Sequence, residues 1–420
     1  MKIANVFGRE ILDSKGNPTV EAQVTLENGL VALGGAPSGA STGMAEATEL
    51  RDNDKARFEG KGVLKAVANI NGPLREALVG QESTNQEKID QIMIGLDGTE
   101  NKSKLGGNAI IGVSMAVCRA SARSLKMPLY QYLGQLAGNT KFDLPQPLIL
   151  LMEGGKHGHW TSDCQEYFII PKNGVFPAFS DRLRVGTEIF QALLKILEEK
   201  HYSVGVGFEG GFMPKEMKSN EEAFQLILQA IEKAGYKMGE QIVLGIDAAA
   251  SEFFQDGKYL LKSENNLLLS KEEWLAKIVE WTKKYPLWLL EDMFDQEDWE
   301  SWTKLTGQIG NYCQIVGDDL LVTNVKRIQK AIDLKACNSA IIKPNQIGTI
   351  TETIEAIKLC DANGLKTIIA HRGGETNDDF IADLVVGTTS RQSKFGGVVR
   401  GERVAKYNRL LRIEEKLTVK

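Results

Sequence analysis

The sequence has no run of about 18 apolar residues, so no segment of it reads as a membrane-spanning helix. Its opening, MKIANVFGREILDSKGNPTV, has neither a long apolar centre nor a small-residue cleavage pattern, which argues against a secretory leader. Cysteine is scarce. Cys118, Cys164, Cys313, Cys337 and Cys360 are far apart, odd in number and form no Cys-x-x-Cys pair. That excludes a disulfide framework and a thiol metal site, and predicts reduced, mostly buried thiols in a cytoplasmic protein. Basic charge is not in excess either. The net charge is −5 and the Lys and Arg residues are dispersed, so nothing points to a nucleic-acid partner. What remains is an ordinary globular composition, 42% hydrophobic and 25% charged, in 420 residues, enough for two domains and a large core.

The chain changes rhythm along its length. The stretch ILDSKGNPTVEAQVTLENGLVALGGAPSG alternates apolar and polar residues and is broken by Gly-Asn-Pro and Asn-Gly, which predicts a short antiparallel meander. Helical periodicity follows and is clearest over 108–125. Pro145 and Pro147 mark a change of domain, so the expected division is an N-terminal α+β domain over 1–135 and a second domain over 140–420. In the second part, short apolar runs alternate with amphipathic helical stretches. YSVGVGFE, IVLGID, PLWLLED, CQIVGDD, SAIIK and TIIAHR, with the earlier LPQPLILLME and EYFIIP, supply eight strands and predict a closed α/β barrel.

The six late runs end in Glu209, Asp247, Glu291, Asp318, Lys343 and His371. In such a barrel the C-terminal strand ends share one rim, where active sites sit. Asp247, Glu291 and Asp318, on three consecutive strands, would repel one another unless they hold a cation, and an all-carboxylate set suits Mg²⁺. A lysine facing that ion has a depressed pKa, which makes Lys343 a candidate general base. Glu209, beside Phe208 in apolar company, is expected to have a raised pKa and to act as general acid. Together these residues describe β-elimination next to a carboxylate, through an enolate-like intermediate.

Many stretches carry a resemblance to a known family: REILDSKGNPTVE, APSGASTG, ELRDND, DGTENKSKLGGNAI, QEYFIIP, DAAASEF, LLED, VGDDLLVTN, IIKPNQIGT, AHRGGET and RVAKYNRLLRIEE. Over nearly its whole length the chain resembles the enolases. The resemblance implies an N-terminal α+β domain before an eight-stranded α/β barrel with irregular first units. It also implies interconversion of 2-phosphoglycerate and phosphoenolpyruvate, a small-molecule substrate, and a homodimer or larger homo-oligomer. By its motifs Asp247, Glu291 and Asp318 correspond to the ligands of a first Mg²⁺, Lys343 to the base, and Glu209 to the acid, with Glu166 assisting. His157 and His371 correspond to substrate-contacting histidines, Arg372 to a phosphate ligand next to Gly373, and Lys394 to the lysine facing the substrate carboxylate. Ser41 falls on a loop, flanked by Gly39 and Gly43, that completes a second Mg²⁺ site as a lid.

The sequence also departs from the family pattern. Phe208 stands where an aspartate usually precedes the catalytic acid, and Glu153 replaces an asparagine. His159 and Trp160 enter after GGKHG, Gly373 replaces a serine near the phosphate, Phe395 a threonine, and Met293 follows LLED. These departures lie near the site and spare the metal and proton-transfer residues. They raise an alternative, a paralogue doing related enolate or transfer chemistry on a phosphonate, phosphinate or carboxylate analogue of phosphoenolpyruvate.

Overall fold

The computed structural model describes residues 1–39 and 45–418. Strands β1 (Ile3–Leu12), β2 (Pro18–Leu26) and β3 (Val31–Gly35) form the expected antiparallel meander in the order β1-β2-β3. Alternation along β2 buries Val20, Ala22 and Val24 on one face. That face packs on the helix Gly107–Ser124, which is buried nearly all round. The contact is close: a Cβ on Gly34 would fall 2.3 Å from the Gly112 carbonyl oxygen, so only glycine fits there.

The barrel follows. It is built from β4 (Gln146–Glu153), β5 (Glu166–Pro171) and β6 (Ile242–Asp247), then, after a small sheet of β7 (Phe254–Gln255), β8 (Lys258–Leu261) and β9 (Leu267–Leu269), from five more strands. These are β10 (Leu287–Glu291), β11 (Gln314–Gly317), β12 (Ser339–Ile342), β13 (Lys366–Ala370) and β14 (Gln392–Lys394). The closed order is β10-β11-β12-β13-β14-β4-β5-β6. Strand β5 runs antiparallel to both neighbours, and all other pairings are parallel. The fold is therefore an N-terminal domain with a sheet, followed by a closed eight-stranded α/β barrel.

One predicted strand is absent and another takes its place. YSVGVGFE is not a barrel strand. Its glycines fold it back on itself, with Gly207 N–H donating to the Gly211 carbonyl at 2.9 Å and Gly210 at φ +93°. Phe212 then lies beside the end of β4, its N–H bonded to the Leu151 carbonyl at 2.8 Å. The eighth strand is Gln392–Lys394, three residues too short and too polar to show as an apolar run.

Inside the barrel, Leu148, Leu150, Phe168, Ile170, Leu289, Val316, Ile341, Ile368 and Ala370 make an apolar layer. Below it lies an amide floor, where Gln314 Nε2 donates to Ser339 Oγ at 2.8 Å and to Gln392 Oε1 at 2.7 Å. All five cysteines are buried and unbridged. Among the described residues, no helix is long and apolar enough to cross a membrane.

Candidate active site

The upper rim of the barrel carries a titratable side chain on every strand. Glu153, Asp247, Glu291 and Lys394 end β4, β6, β10 and β14, while Lys343 and His371 directly follow β12 and β13. Asp318 follows Gly317, the last residue of β11. Because β5 is reversed, its first residue, Glu166, reaches the same rim, paired in register with Glu153 on one side and Asp247 on the other. Glu209 reaches it from the glycine-rich turn. Except for the partly buried Lys343, these side chains are buried. A small recess is lined by residues that include His157, Glu166, Glu209, Asp247, Asp318, Lys343, His371, Arg372, Gly373 and Lys394.

Two ammonium groups gather the acids. Lys394 Nζ lies 3.0 Å from Asp247 Oδ2, 2.8 Å from Glu291 Oε1 and 3.4 Å from Glu166 Oε1, over the Phe168 ring at 4.9 Å. Burial pulls the Lys394 pKa down, but Asp247, Glu166 and Glu291 outweigh it and hold the group well above the ordinary lysine value. Lys343 Nζ pairs with Asp318. Burial lowers its pKa too, and Asp318 reverses that. Asp318 is fixed further by Gln346 Nε2, at 3.0 Å from Oδ1.

The acid set suits a divalent cation. Burial pushes the Glu291 carboxyl well above the usual range even with Lys394 beside it, and its Oε2 has no hydrogen-bond partner among the described residues. An all-oxygen donor set with a buried, unpaired oxygen is what a hard cation requires. Asp292, Asp318 and Asp319 bring one oxygen each within 4.8 Å of one another, whereas Asp247 and Glu291 meet on Lys394. Asp292 also stitches the turn after β11, accepting from Asp318 N–H at 2.9 Å and Asp319 N–H at 2.8 Å. Ser41, expected at a second metal site, lies outside the described residues with most of its loop. Gly39, at the loop's start, is held by Glu49 through a 2.6 Å bond from its N–H.

On the opposite side, His157, Glu166 and Glu209 form a second compact group. His371 Nε2 stands 3.0 Å from Glu209 Oε2, without the alignment of a full hydrogen bond, and His157 Nδ1 stands 3.5 Å from Glu209 Oε1. Arg403 Nη1 meets His371 Nδ1 at 2.6 Å. A guanidinium only donates, so Nδ1 accepts and the ring proton sits on Nε2, facing Glu209. Burial keeps His371 neutral, its pKa pushed down to about 3.

The expected rise in the Glu209 pKa does not occur. Burial does push it up, but His371, His157 and Arg403 outweigh that and hold the carboxyl well below the usual range. The raised member is Glu166, through burial first and then the Glu209 charge. The two neighbouring carboxyls are thus pushed in opposite directions, and the resting proton sits on Glu166.

Arg372 pairs with Glu46 at 2.9 Å and with Asn345 Oδ1 at 3.2 Å. Gly373 turns its carbonyl to Arg403 Nη2 at 2.9 Å. Fully buried Arg403 also holds the carbonyls of Arg372 at 2.6 Å and Phe208 at 3.0 Å, so one side chain ties His371, the 372–373 backbone and the Glu209 turn together. Sequence reasoning gave Arg403 no role, although it opens the stretch RVAKYNRLLRIEE. Asp292, Asp319 and Gln346 were also missed; the first two stand next to Glu291 and Asp318, and Gln346 lies three positions after Lys343.

The departures from the family pattern occupy different depths. The Phe208 ring lies 6.0 Å from that of His159, with Lys15 Nζ 5.8 Å from its centre. His159 and Trp160 are exposed and both have left-handed backbones, at φ 53° and 61°. Phe395 and Met293 are buried core residues, and Glu153 is buried behind the Glu209 turn.

Two family models match the chain. Residues 3–133 match the one described as enolase, N-terminal domain, and residues 141–420 the one described as enolase, C-terminal TIM barrel domain.

Proposed function

Because the chain belongs to the enolase family, we propose that it is a magnesium-dependent carbon–oxygen lyase interconverting 2-phosphoglycerate and phosphoenolpyruvate. The observation that carries this reading is the convergence on one recess of a lysine, Lys343, and a pair of carboxyls, Glu166 and Glu209, pushed in opposite directions. Mg²⁺ would be held by Asp247, Glu291 and Asp318, with Ser41 serving a second ion, and would supply charge stabilisation to the substrate carboxylate and phosphate.

Lys343 Nζ accepts the proton from the carbon next to the carboxylate, for which it must first be unprotonated. The C–O bond to the hydroxyl then breaks, and the proton held by the Glu166–Glu209 pair leaves with the hydroxyl as water. Glu209 faces the leaving group and Glu166 stores the proton. His371 and His157 hold Glu209 and contact substrate, Arg372 with the backbone at Gly373 receives the phosphate, and Lys394 faces the carboxylate. The family resemblance also supports a homodimer and a domain division near 135–140, and the five buried, unbridged thiols support a cytoplasmic location. The test is direct, because phosphoenolpyruvate absorbs in the ultraviolet and 2-phosphoglycerate does not. Turnover in the ordinary enzyme range of about 1–10³ s⁻¹ with Mg²⁺ is expected, and no absorbance change would reject the reading.

The contact between Phe208 and His159 favours a second reading, since two departures far apart in sequence meet beside the acid. On it, the same proton-transfer groups act on a phosphonate, phosphinate or carboxylate analogue. Wild type would then be slow on phosphoenolpyruvate, and restoring Asp at 208, Asn at 153 and Ser at 373 together would recover hydration.

A further inference from the structure

We propose that Glu153 is the positioning residue for Glu209, its carboxyl group holding the Gly207–Gly211 turn in the shape that aims Glu209 into the recess. The proposal rests on the acid role given to Glu209 above.

The turn belongs to no barrel strand, so its backbone amides need other partners. Glu153 Oε1 supplies one for two of them, accepting from Glu209 N–H at 3.0 Å and Gly211 N–H at 2.7 Å. The Glu153 main chain joins in, its N–H bonded to the Phe212 carbonyl at 2.9 Å. The other side of the turn is held independently. Gly397 N–H meets the Glu209 carbonyl at 2.8 Å, and Arg403 meets that of Phe208. Glu209 therefore sits between two clamps, with Glu153 as the side-chain half of the inner one.

The glycines of the turn are fitted to this side chain. A Cβ on Gly207 would stand 2.3 Å from Glu153 Oε2, and one on Gly211 would stand 3.1 Å from its Cγ. Glu153 is fully buried and does not line the recess, so it acts through the turn and not on substrate. A residue that only filled space there would not need a carboxyl, which is costly to bury. The surroundings agree. Burial, then Glu209 and Glu166 against His157 and the Gly211 N–H, push its pKa up to about 8. At neutral pH Glu153 mostly keeps its proton and offers a carbonyl-like oxygen, which a glutamine would reproduce.

The test compares Glu153→Leu, which removes the acceptor, with Glu153→Gln, which keeps it. Three quantities are read on the full-length protein with Mg²⁺: kcat and KM for 2-phosphoglycerate, exchange of its α-proton with deuterated solvent, and amide hydrogen exchange over 205–213. In Glu153→Leu, kcat is expected to fall by about 10²-fold, the cost of misplacing a catalytic group by about 1 Å. KM and α-proton exchange, which report binding and Lys343, are expected to hold, and amide exchange should quicken in that turn. Glu153→Gln should restore most of the lost kcat and the slow amide exchange. Wild-type kcat and wild-type amide exchange in Glu153→Leu would overturn the proposal. Should Glu153→Leu fail to fold, Gly207→Ala pushes the same carboxyl aside and should give the same pattern; wild-type behaviour there would overturn it equally. If wild type itself does not turn over 2-phosphoglycerate, the lyase reading fails. Amide exchange then decides alone: a turn loosened by Leu and not by Gln supports the positioning role, and equal exchange in all three proteins removes it.

Discussion

The two ends of the barrel are both polar and both buried, yet they are built on opposite terms. At the floor, Gln314, Ser339 and Gln392 are neutral and bond to one another across three strands. At the rim, Glu153, Glu166, Asp247, Glu291, Asp318, Lys343, His371 and Lys394 are ionisable, and several keep oxygens or nitrogens without a hydrogen-bond partner among the described residues. The same apolar layer separates the two, so differing burial does not account for the contrast. The floor closes the barrel with neutral amides and a hydroxyl, of which Gln314 Oε1 and Gln392 Nε2 are also left without a partner among the described residues. The difference lies in charge: the rim gathers ionisable groups, partly paired through Lys394 and Lys343, whose remaining open oxygens suit an additional cation or ligand, which costs stability and is the mark of a functional end.

The largest effects should follow from changes at the rim. Lys343→Ala is expected to lower exchange of the α-proton with solvent deuterium by about 10²–10⁴-fold, the range of a general base, with Mg²⁺ affinity nearly intact by calorimetry. Exchange at the wild-type rate would take the base role from Lys343. Next, Asp318→Ala should weaken Mg²⁺ binding by more than about 10²-fold, beyond what loss of an outer-shell partner costs. Calorimetry showing unchanged affinity would leave Asp318 as a mere partner of Lys343.

A smaller effect concerns stability, and its sign can be worked out. The Glu153 carboxyl rises from an ordinary 4.5 to about 8 on folding, through burial first and then its acidic neighbours Glu209 and Glu166. A raised pKa adds stability that is fully present below the unfolded value and is lost as pH climbs through the folded one. Wild type should therefore lose stability between about pH 4.5 and 8 through this group, and Glu153→Gln should not. The melting temperatures of the two proteins should lie close at pH 5, and the variant should be higher by several degrees at pH 8.5. A constant gap would show that Glu153 does not titrate on folding.

Much of this rim is legible in the sequence. Asp247, Glu291, Asp318, Lys343 and His371 each end an apolar run, and hydrophobic runs are what a buried parallel strand looks like in sequence. The failures have physical causes. YSVGVGFE is apolar enough for a strand, but its glycines let the chain fold back, and periodicity cannot see that. The strand Gln392–Lys394 is all polar because its inward residues serve the floor and the rim, so it gave no apolar signal. Arg403 lies on the final helix, thirty-two positions after His371, and its buried bonds to His371 and three carbonyls depend on packing alone. The Glu209 pKa went the other way because two histidines and that same arginine converge on it in space.

The smallest expected effect makes the sharpest contrast. Gln314 and Asp318 lie four positions apart, one opening β11 and the other just beyond its end, so a single strand spans both ends of the barrel. Gln314→Leu keeps the side-chain size and removes the floor's central donor. Ser339 Oγ still donates to the Lys366 carbonyl at 3.0 Å, so the chief loss is the partner of Gln392 Oε1. Leaving one buried acceptor unpaired costs about 1–3 kcal/mol. Against that, the variant deletes the buried Gln314 Oε1, which has no partner among the described residues, and adds apolar contact to the layer above. Denaturant unfolding should show a net change of no more than about 2 kcal/mol, in either direction. Mg²⁺ affinity and kcat should stay within about twofold of wild type, because a neutral group this far from the rim shifts no charge there. A fall in kcat comparable to that of Asp318→Ala would mean that the floor sets the rim's geometry through the strand. The two ends would then be one device and not a lid of charges on an inert plug.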